Sequence, residues 1–251
     1  KEHLCSIPNP NYRNYCLVCR DSNNTDYDLL PTSGVQANNN NWLPVGLFDD
    51  TVYKYFINLK TFLAWSEKRG HKINPSYKNW EIITRKHEPI TLSIDELERL
   101  ENFEFNLSSV KPFLKKQGEA TRVMKALNIA RDYLVFECRT GQRISDIKRF
   151  DLKDYDNDKW TFTPRKGNRL SSKTVTVHFK GYCAPAISIL HKYNWKMPVV
   201  SEQKINDNIK TACKIAGINS ETVTYRWAQN KRIRISGPKY EFLSSHSGRR
   251  S

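Results

Sequence analysis

Three basic motifs in this sequence could bind and polarise a phosphate group. The first is segment 140–146 (TGQRISD), in which Gly141 ends a predicted helix and Arg143 precedes the next one. An arginine in such a turn projects from a rigid corner, beside backbone N–H groups that attract anions. Taken by itself, the motif is more typical of a surface arginine that pairs with Asp146.

The second motif is a basic loop between two β-rich segments. Segments 160–163 and 174–177 predict a hairpin, and the loop between them contains four cations: Arg165, Lys166, Arg169 and Lys173. Solvated loop cations usually contact phosphates through charge alone. A lysine that is buried among other cations has a lowered pKa and can donate a proton, a role that is open to Lys166 or Lys173.

The third motif is segment 245–250 (SHSGRR), which predicts the start of a helix. His246 and Arg249 are three residues apart and would share one helix face. This pair suits phosphate recognition, whereas a metal site is not expected because no carboxylate or cysteine accompanies the histidine. In isolation, a capped helix with basic surface residues explains the motif better.

Taken together and in this order, the three motifs resemble the signature of the tyrosine recombinases, the phage integrase family. Segment 59–65 is similar to the core-binding helix of such integrases. Segments 198–206 and 225–240 are similar to parts of the subgroup carried on Bacteroidetes mobile elements. The resemblance covers residues 49–251, and the joint occurrence of the motifs is far more specific than any one of them.

The resemblance implies a role for each matching residue. Arg143 and Arg249 correspond to the two catalytic arginines, His246 to the histidine of His-x-x-Arg, and Lys166 to the hairpin lysine, with Lys173 as the alternative. In this family a tyrosine attacks a DNA phosphodiester and forms a 3′-phosphotyrosyl bond, so neither a metal nor another cofactor is implied. The arginines bind the developing charge, and the lysine protonates the departing 5′ oxygen. The implied partners are double-stranded DNA and, in synapsis, a homotetramer.

The sequence departs from the family in one respect. No tyrosine follows His246, and the sequence given ends two residues after Arg249. We therefore expect a catalytic domain that is truncated at its C-terminus, with the nucleophilic tyrosine further downstream, and a chain that binds DNA without cleaving it alone. The alternative is a non-catalytic DNA-binding module of integrase type. An RNA-associated protein is a weaker third hypothesis.

Composition favours a nucleic-acid partner independently of these motifs. The 251 residues include 41 Lys and Arg against 26 Asp and Glu, a formal net charge of +15, which indicates a polyanionic ligand. With 38% hydrophobic residues a globular fold is expected. No apolar stretch approaches the ~18 residues that a membrane-spanning helix needs, and no export signal opens the chain, which predicts a cytoplasmic, nucleoid-associated protein with no membrane contact. The predicted DNA-binding residues are Lys54, Lys60, Arg165, Arg169, Lys173, Arg226, Lys231, Arg232 and Arg234.

Periodicity predicts the elements that position these residues. We expect a mostly α protein with a small antiparallel β sheet, and the resemblance implies that it consists of a helical core-binding module and a tyrosine-recombinase catalytic domain. Its predicted parts are an irregular segment at 1–47, a partial helical (SAM-like) core-binding module at 48–84, a linker at 85–91 and the catalytic domain at 92–251. The module's helix begins at Asp49 or Asp50, with Phe62 and Trp65 in the core. A capping box of Ser93 and Glu96 opens the catalytic domain.

The first twenty residues contain four candidate zinc ligands. His3 and Cys5 precede the Cys16-x-x-Cys19 pair, and such a set could hold tetrahedral Zn²⁺. A single Cys-x-x-Cys pair is a weak signal, however, and the family resemblance predicts no zinc. Free thiols in a segment with little core of its own are therefore the preferred interpretation.

Overall fold

The chain divides into two compact units in a computed structural model that describes residues 15–20, 26–31, 42–44, 46–81, 88–114, 118–165, 173–229 and 231–249. The first unit comprises residues 1–88 together with 222–237, and the second comprises 89–221 and 238–251. About half of the described residues are helical, and two small sheets account for the strands. The protein is thus mostly α with a smaller β component. Among the described helices, none is both long and apolar enough to cross a membrane.

The first unit contains a five-stranded sheet in the order β3-β1-β2-β8-β7. Its strands are β1 (Tyr15–Cys19), β2 (Asp26–Pro31), β3 (Trp42–Pro44), β7 (Glu221–Ala228) and β8 (Lys231–Pro238). β1 is antiparallel to β2 and β3, whereas β2 pairs in parallel with β8, with Tyr27 opposite Ile233. Leu17, Tyr27 and Ile233 are buried in its small core.

This sheet corrects two sequence-based predictions. Segment 1–47 was expected to be irregular, yet it provides three strands, and residues 222–237 were expected in the catalytic domain, yet they pack with the first unit. The reason is that β2 pairs with β8, which lies about two hundred positions further along the chain. Local composition, dominated here by Asn and Pro, carries no information about such a distant pairing. The sheet is also mixed rather than purely antiparallel.

One long helix of the first unit, α1 (Asp49–Glu67), begins where the sequence predicts it. Val52 is buried, but Phe62 and Trp65 are 59% and 47% exposed, so the prediction that both lie in the core is wrong. Their rings stack on each other at 6.0 Å, and the Arg69 guanidinium lies 3.9 Å from the Trp65 ring. Helical spacing identifies a shared face, but only packing decides whether that face is covered.

The second unit is built around α4 (Ala120–Thr140), which is buried over most of its circumference. The surrounding helices are α2 (Ile94–Glu101), α3 (Leu107–Val110), α5 (Ile144–Ile147), α6 (Ala184–Lys192), α7 (Glu202–Ile215) and α8 (Ser245–Gly248). The predicted capping box at the start of α2 is confirmed, because Ser93 N donates to Glu96 Oε2 at 2.8 Å and Glu96 N donates to Ser93 Oγ at 3.2 Å. The boundary between the units falls at Glu88 and Pro89, within the predicted linker.

A three-stranded antiparallel sheet completes the second unit. It consists of β4 (Tyr155–Asp156), β5 (Lys159–Phe162) and β6 (Val175–His178), in that order. The predicted pairing of the two β-rich segments is confirmed, with Phe162 opposite Val175. Trp160 anchors the sheet to the core and is 1% exposed.

Candidate functional site

The turn that carries Arg143 is held by the end of α4. Gly141 has a left-handed backbone (φ +68°), and its N–H donates to Glu137 O at 2.8 Å, as expected for a glycine that ends a helix. Arg143 follows with an extended backbone at the N-cap of α5. The turn between α4 and α5 thus sets the direction in which the Arg143 side chain points.

Arg143 retains hydrogen-bonding capacity despite its acidic neighbour. Its Nη1 lies 3.9 Å from Asp146 Oδ2, a distance that allows electrostatic attraction but no hydrogen bond. The Arg143 side chain is 32% exposed, whereas that of Asp146 is buried. The ion pair expected of a surface arginine is therefore present, but it leaves the guanidinium donors available for another acceptor.

Arg249 lies directly beside this turn. Its Nε donates to Gly141 O at 3.0 Å, although the two residues are 108 positions apart in the sequence. Its terminal nitrogens make no hydrogen bond to other described residues. The structure therefore brings the second predicted arginine to the turn that leads to the first.

Short helix α8, which precedes Arg249, is fixed to two neighbouring helices. Ser245 N donates to Asn206 Oδ1 of α7 at 2.9 Å. Gly248 approaches α4 so closely that a Cβ there would lie 2.8 Å from Leu134 Cδ1 and 3.1 Å from Leu134 O. His246 is exposed on the same helical turn, three residues before Arg249. A side chain at position 248 would therefore require neighbouring atoms to shift.

Asp146 connects the arginine turn with the base of the basic loop. Its Oδ1 accepts a hydrogen bond from Arg165 N at 3.0 Å, so the segment leading into the loop begins beside α5. Lys173, at the other end of the loop, is exposed. Lys166 and Arg169 lie outside the described residues, and their roles remain predictions.

Glu137 is the one residue of this region that sequence reasoning missed. Its side chain is buried, and its Oε1 accepts a hydrogen bond from Ile144 N at 3.1 Å. Its Oε2 has no hydrogen-bond partner among the described residues. Burial raises the pKa of Glu137 to about 9, so its carboxyl group is protonated at neutral pH. The available signal was an acidic residue within the apolar run of residues 133–138.

The other predicted DNA-binding residues belong to the first unit, where most have partners of their own. Lys60 Nζ donates to the carbonyl oxygens of Lys78 and Trp80 at 3.2 and 3.0 Å. Arg232 and Arg234 face carboxylates of β2, at 3.7 Å from Asp26 and 3.6 Å from Asp28. DNA contact by these cations stays a prediction.

Three more of the predicted DNA-binding residues lie in the first unit. Arg226 and Lys231 lie over the aromatic rings of Phe48 and Tyr27, at 5.0 and 4.8 Å from the ring centroids. Lys54 is exposed on α1. DNA contact by these residues likewise stays a prediction.

The structure does not describe the side chains of the four candidate zinc ligands. His3 and Cys5 lie outside the described residues, and so do the side chains of Cys16 and Cys19. Among the residues that the structure describes, no group of three or more His, Cys, Asp or Glu side chains could hold a metal ion.

No protein-family model matches the chain, and no curated protein matches its sequence. The resemblance to tyrosine recombinases therefore depends on the ordered motifs quoted above.

Proposed function

We propose that the chain binds duplex DNA as a site-specific recombinase, or integrase, of the tyrosine-recombinase type. Its second unit would hold one backbone phosphate of the DNA between Arg143 and Arg249, with His246 on the adjoining helical turn. Lys166, or Lys173 in its place, would protonate the leaving oxygen. The net charge of +15 would supply the remaining, sequence-independent attraction to DNA.

One observation supports this proposal above the others: the hydrogen bond from Arg249 Nε to Gly141 O at 3.0 Å. Two arginines that are distant in sequence are needed near one phosphate, and this bond joins their two segments. Arginine binds phosphate through forked N–H donors, and charge-assisted bonds of this kind are about twice as strong as neutral ones. An ordinary capped helix with basic surface residues does not need this contact.

The same arrangement suits stabilisation of a phosphoryl-transfer transition state. Attack on a phosphodiester increases the negative charge on the non-bridging oxygens, and fixed donors aimed at these oxygens lower the barrier. Loss of one such preorganised donor typically costs about 3–4 kcal/mol in transition-state energy. Arg143 and Arg249 are placed on the turn and on the short helix that α4 holds in position.

The binding part of the proposal is tested with fluorescently labelled duplex DNA over a range of salt concentrations. Arg143→Ala and Arg249→Ala should each retain binding, weakened a few-fold, and each should reduce the slope of log K against log salt by about 0.9. The matched control is Arg122→Ala, since Arg122 is an exposed arginine on α4 that pairs with Glu119 and belongs to neither arginine segment. If Arg143→Ala and Arg249→Ala both have the same salt slope as Arg122→Ala, a phosphate contact shared by the two arginines is contradicted.

The chemical part is tested with the protein expressed through any downstream tyrosine codon of its gene. On a nicked suicide duplex, this protein should form an adduct with DNA that survives denaturation, and Arg143→Ala should abolish the adduct. Unchanged trapping by Arg143→Ala would refute the assigned role. DNA binding without any adduct would favour the non-catalytic module instead, and tighter binding to RNA than to duplex DNA would favour the third hypothesis.

A further inference from the structure

Glu137 lies where the segments that carry the two arginines meet. Its Oε1 accepts from Ile144 N, the residue that follows Arg143, and its backbone carbonyl accepts from Gly141 N. Its Cβ would be 3.0 Å from a Cβ at position 248, the residue before Arg249. Glu137 thus hydrogen-bonds the arginine turn through its carboxyl group and lies close to Gly248 of α8 through its Cβ.

The charged groups around Glu137 act in opposite directions. Arg249, after α8, and Lys148, after α5, favour the ionised form, while Glu202 of α7 disfavours it. On α4 itself, Tyr133 lies one turn earlier, and its pKa is raised by burial and by Glu137. Burial raises the pKa of Glu137 more than the hydrogen bond from Ile144 N and the two cations lower it, so the group keeps its proton at neutral pH.

We propose that Glu137 is a positioning residue: its buried carboxyl group holds the Arg143 turn through Ile144 N, beside helix α8, without pairing with either guanidinium. This inference rests on the proposed phosphate-binding function of the two arginines. A carboxylate at this position would attract Arg249 and weaken its contact with a DNA phosphate. A neutral acid keeps the acceptor that Ile144 N needs and leaves the arginine charge uncompensated.

The proposal predicts a specific pH dependence of DNA binding. As the pH rises through about 9, Glu137 loses its proton, and the new negative charge should offset the positive charge of Arg249. The salt slope of wild-type binding should then fall by about 0.9, the equivalent of one phosphate contact. In Glu137→Gln this additional fall should disappear, because the amide stays neutral. Both proteins share every other titrating group, so the difference between them isolates Glu137.

Two further variants separate positioning from a merely structural role. Glu137→Ala removes the acceptor for Ile144 N and should weaken DNA binding at neutral pH, whereas Glu137→Gln should recover most of the lost affinity. Glu119→Gln, a change at the N-cap of the same helix, should leave the wild-type pH profile unaltered. Identical pH profiles for wild type and Glu137→Gln would overturn the proposal.

A measurement without DNA distinguishes failure of this inference from failure of the proposed function. Because the native state keeps a proton that the unfolded chain releases near its ordinary pKa, the melting temperature of wild type should fall with rising pH up to about 9. Glu137→Gln should show a smaller fall. If the melting temperatures of wild type and Glu137→Gln differ in this way, but replacement of Arg143 or Arg249 leaves DNA affinity unchanged, the proposed function is wrong. If DNA binding needs both arginines but neither pH comparison distinguishes the variants, the inference about Glu137 is wrong.

Discussion

Replacement of Gly248 by alanine tests how closely α8 must pack on α4. The added Cβ would lie 2.8 Å from Leu134 Cδ1, 3.0 Å from Glu137 Cβ and 3.1 Å from Leu134 O. The first atom ends a flexible side chain and can move, but Leu134 O belongs to the backbone of α4 and Glu137 Cβ is bonded directly to it. Either α8 or the packing around it must therefore shift.

The expected loss of stability follows from opposing contributions. Alanine is favoured over glycine in a helix by about 1 kcal/mol, and burial of one more carbon contributes about 0.8 kcal/mol. Overpacking of a well-packed site costs about 1–3 kcal/mol, and contacts below 3.2 Å with fixed atoms place this site at the upper end. We expect a net destabilisation of about 1 kcal/mol, which lowers the melting temperature by about 2–4 °C.

The functional consequence is the more specific part of this prediction. A displaced α8 lengthens the bond from Arg249 to Gly141, so Gly248→Ala should reduce the salt slope of DNA binding as Arg249→Ala does. Gly217→Ala is the matched control, because its left-handed backbone (φ +77°) costs about 1–2 kcal/mol without any clash. The two variants should have similar melting temperatures but different DNA affinities. A Gly248→Ala protein as stable as wild type, with the same salt slope, would refute the packing argument.

Two further predictions concern polar groups away from the site. Asp132 is buried and accepts from Lys192 Nζ and Tyr193 Oη at 2.7 Å each, so Asp132→Ala should lower the free energy of unfolding by about 3 kcal/mol, measured by urea denaturation. The exposed Asp151→Ala should lower the free energy of unfolding much less, because solvent screens its ion pair with Lys153, and equal effects would show that burial of the ion pair is unimportant. Lys60→Met should lower the stability of the first unit by about 1 kcal/mol, because it removes two hydrogen bonds to backbone carbonyls. An effect on DNA affinity alone would instead assign Lys60 to the DNA interface.

Local signals in the sequence were sufficient for several elements of the second unit. Ser93 and Glu96 satisfy each other's backbone donors within one helical turn, so the start of α2 could be predicted from four residues. Gly141 ended α4 as expected because only glycine adopts a left-handed backbone without cost. Alternating β-rich residues in two nearby segments predicted the pairing of β5 with β6.

Other features depended on groups that are far apart in the chain. The parallel pairing of β2 with β8 joins segments about two hundred positions apart, and no pattern within either segment specifies its partner. Exposure of Phe62 and Trp65 was unpredictable for a related reason, since periodicity defines a helix face but not what covers it.

The sequence by itself determined which chemical groups are present, their order, the turn that carries Arg143 and the start of the helix that precedes Arg249. Only the tertiary structure placed Arg249 against Gly141 and buried Glu137 of α4 beside α5 and α8. The physical reason is the range of the forces involved. Caps and turns are settled by hydrogen bonds among residues a few positions apart, whereas the protonation of a buried acid depends on all the chain that excludes water from it.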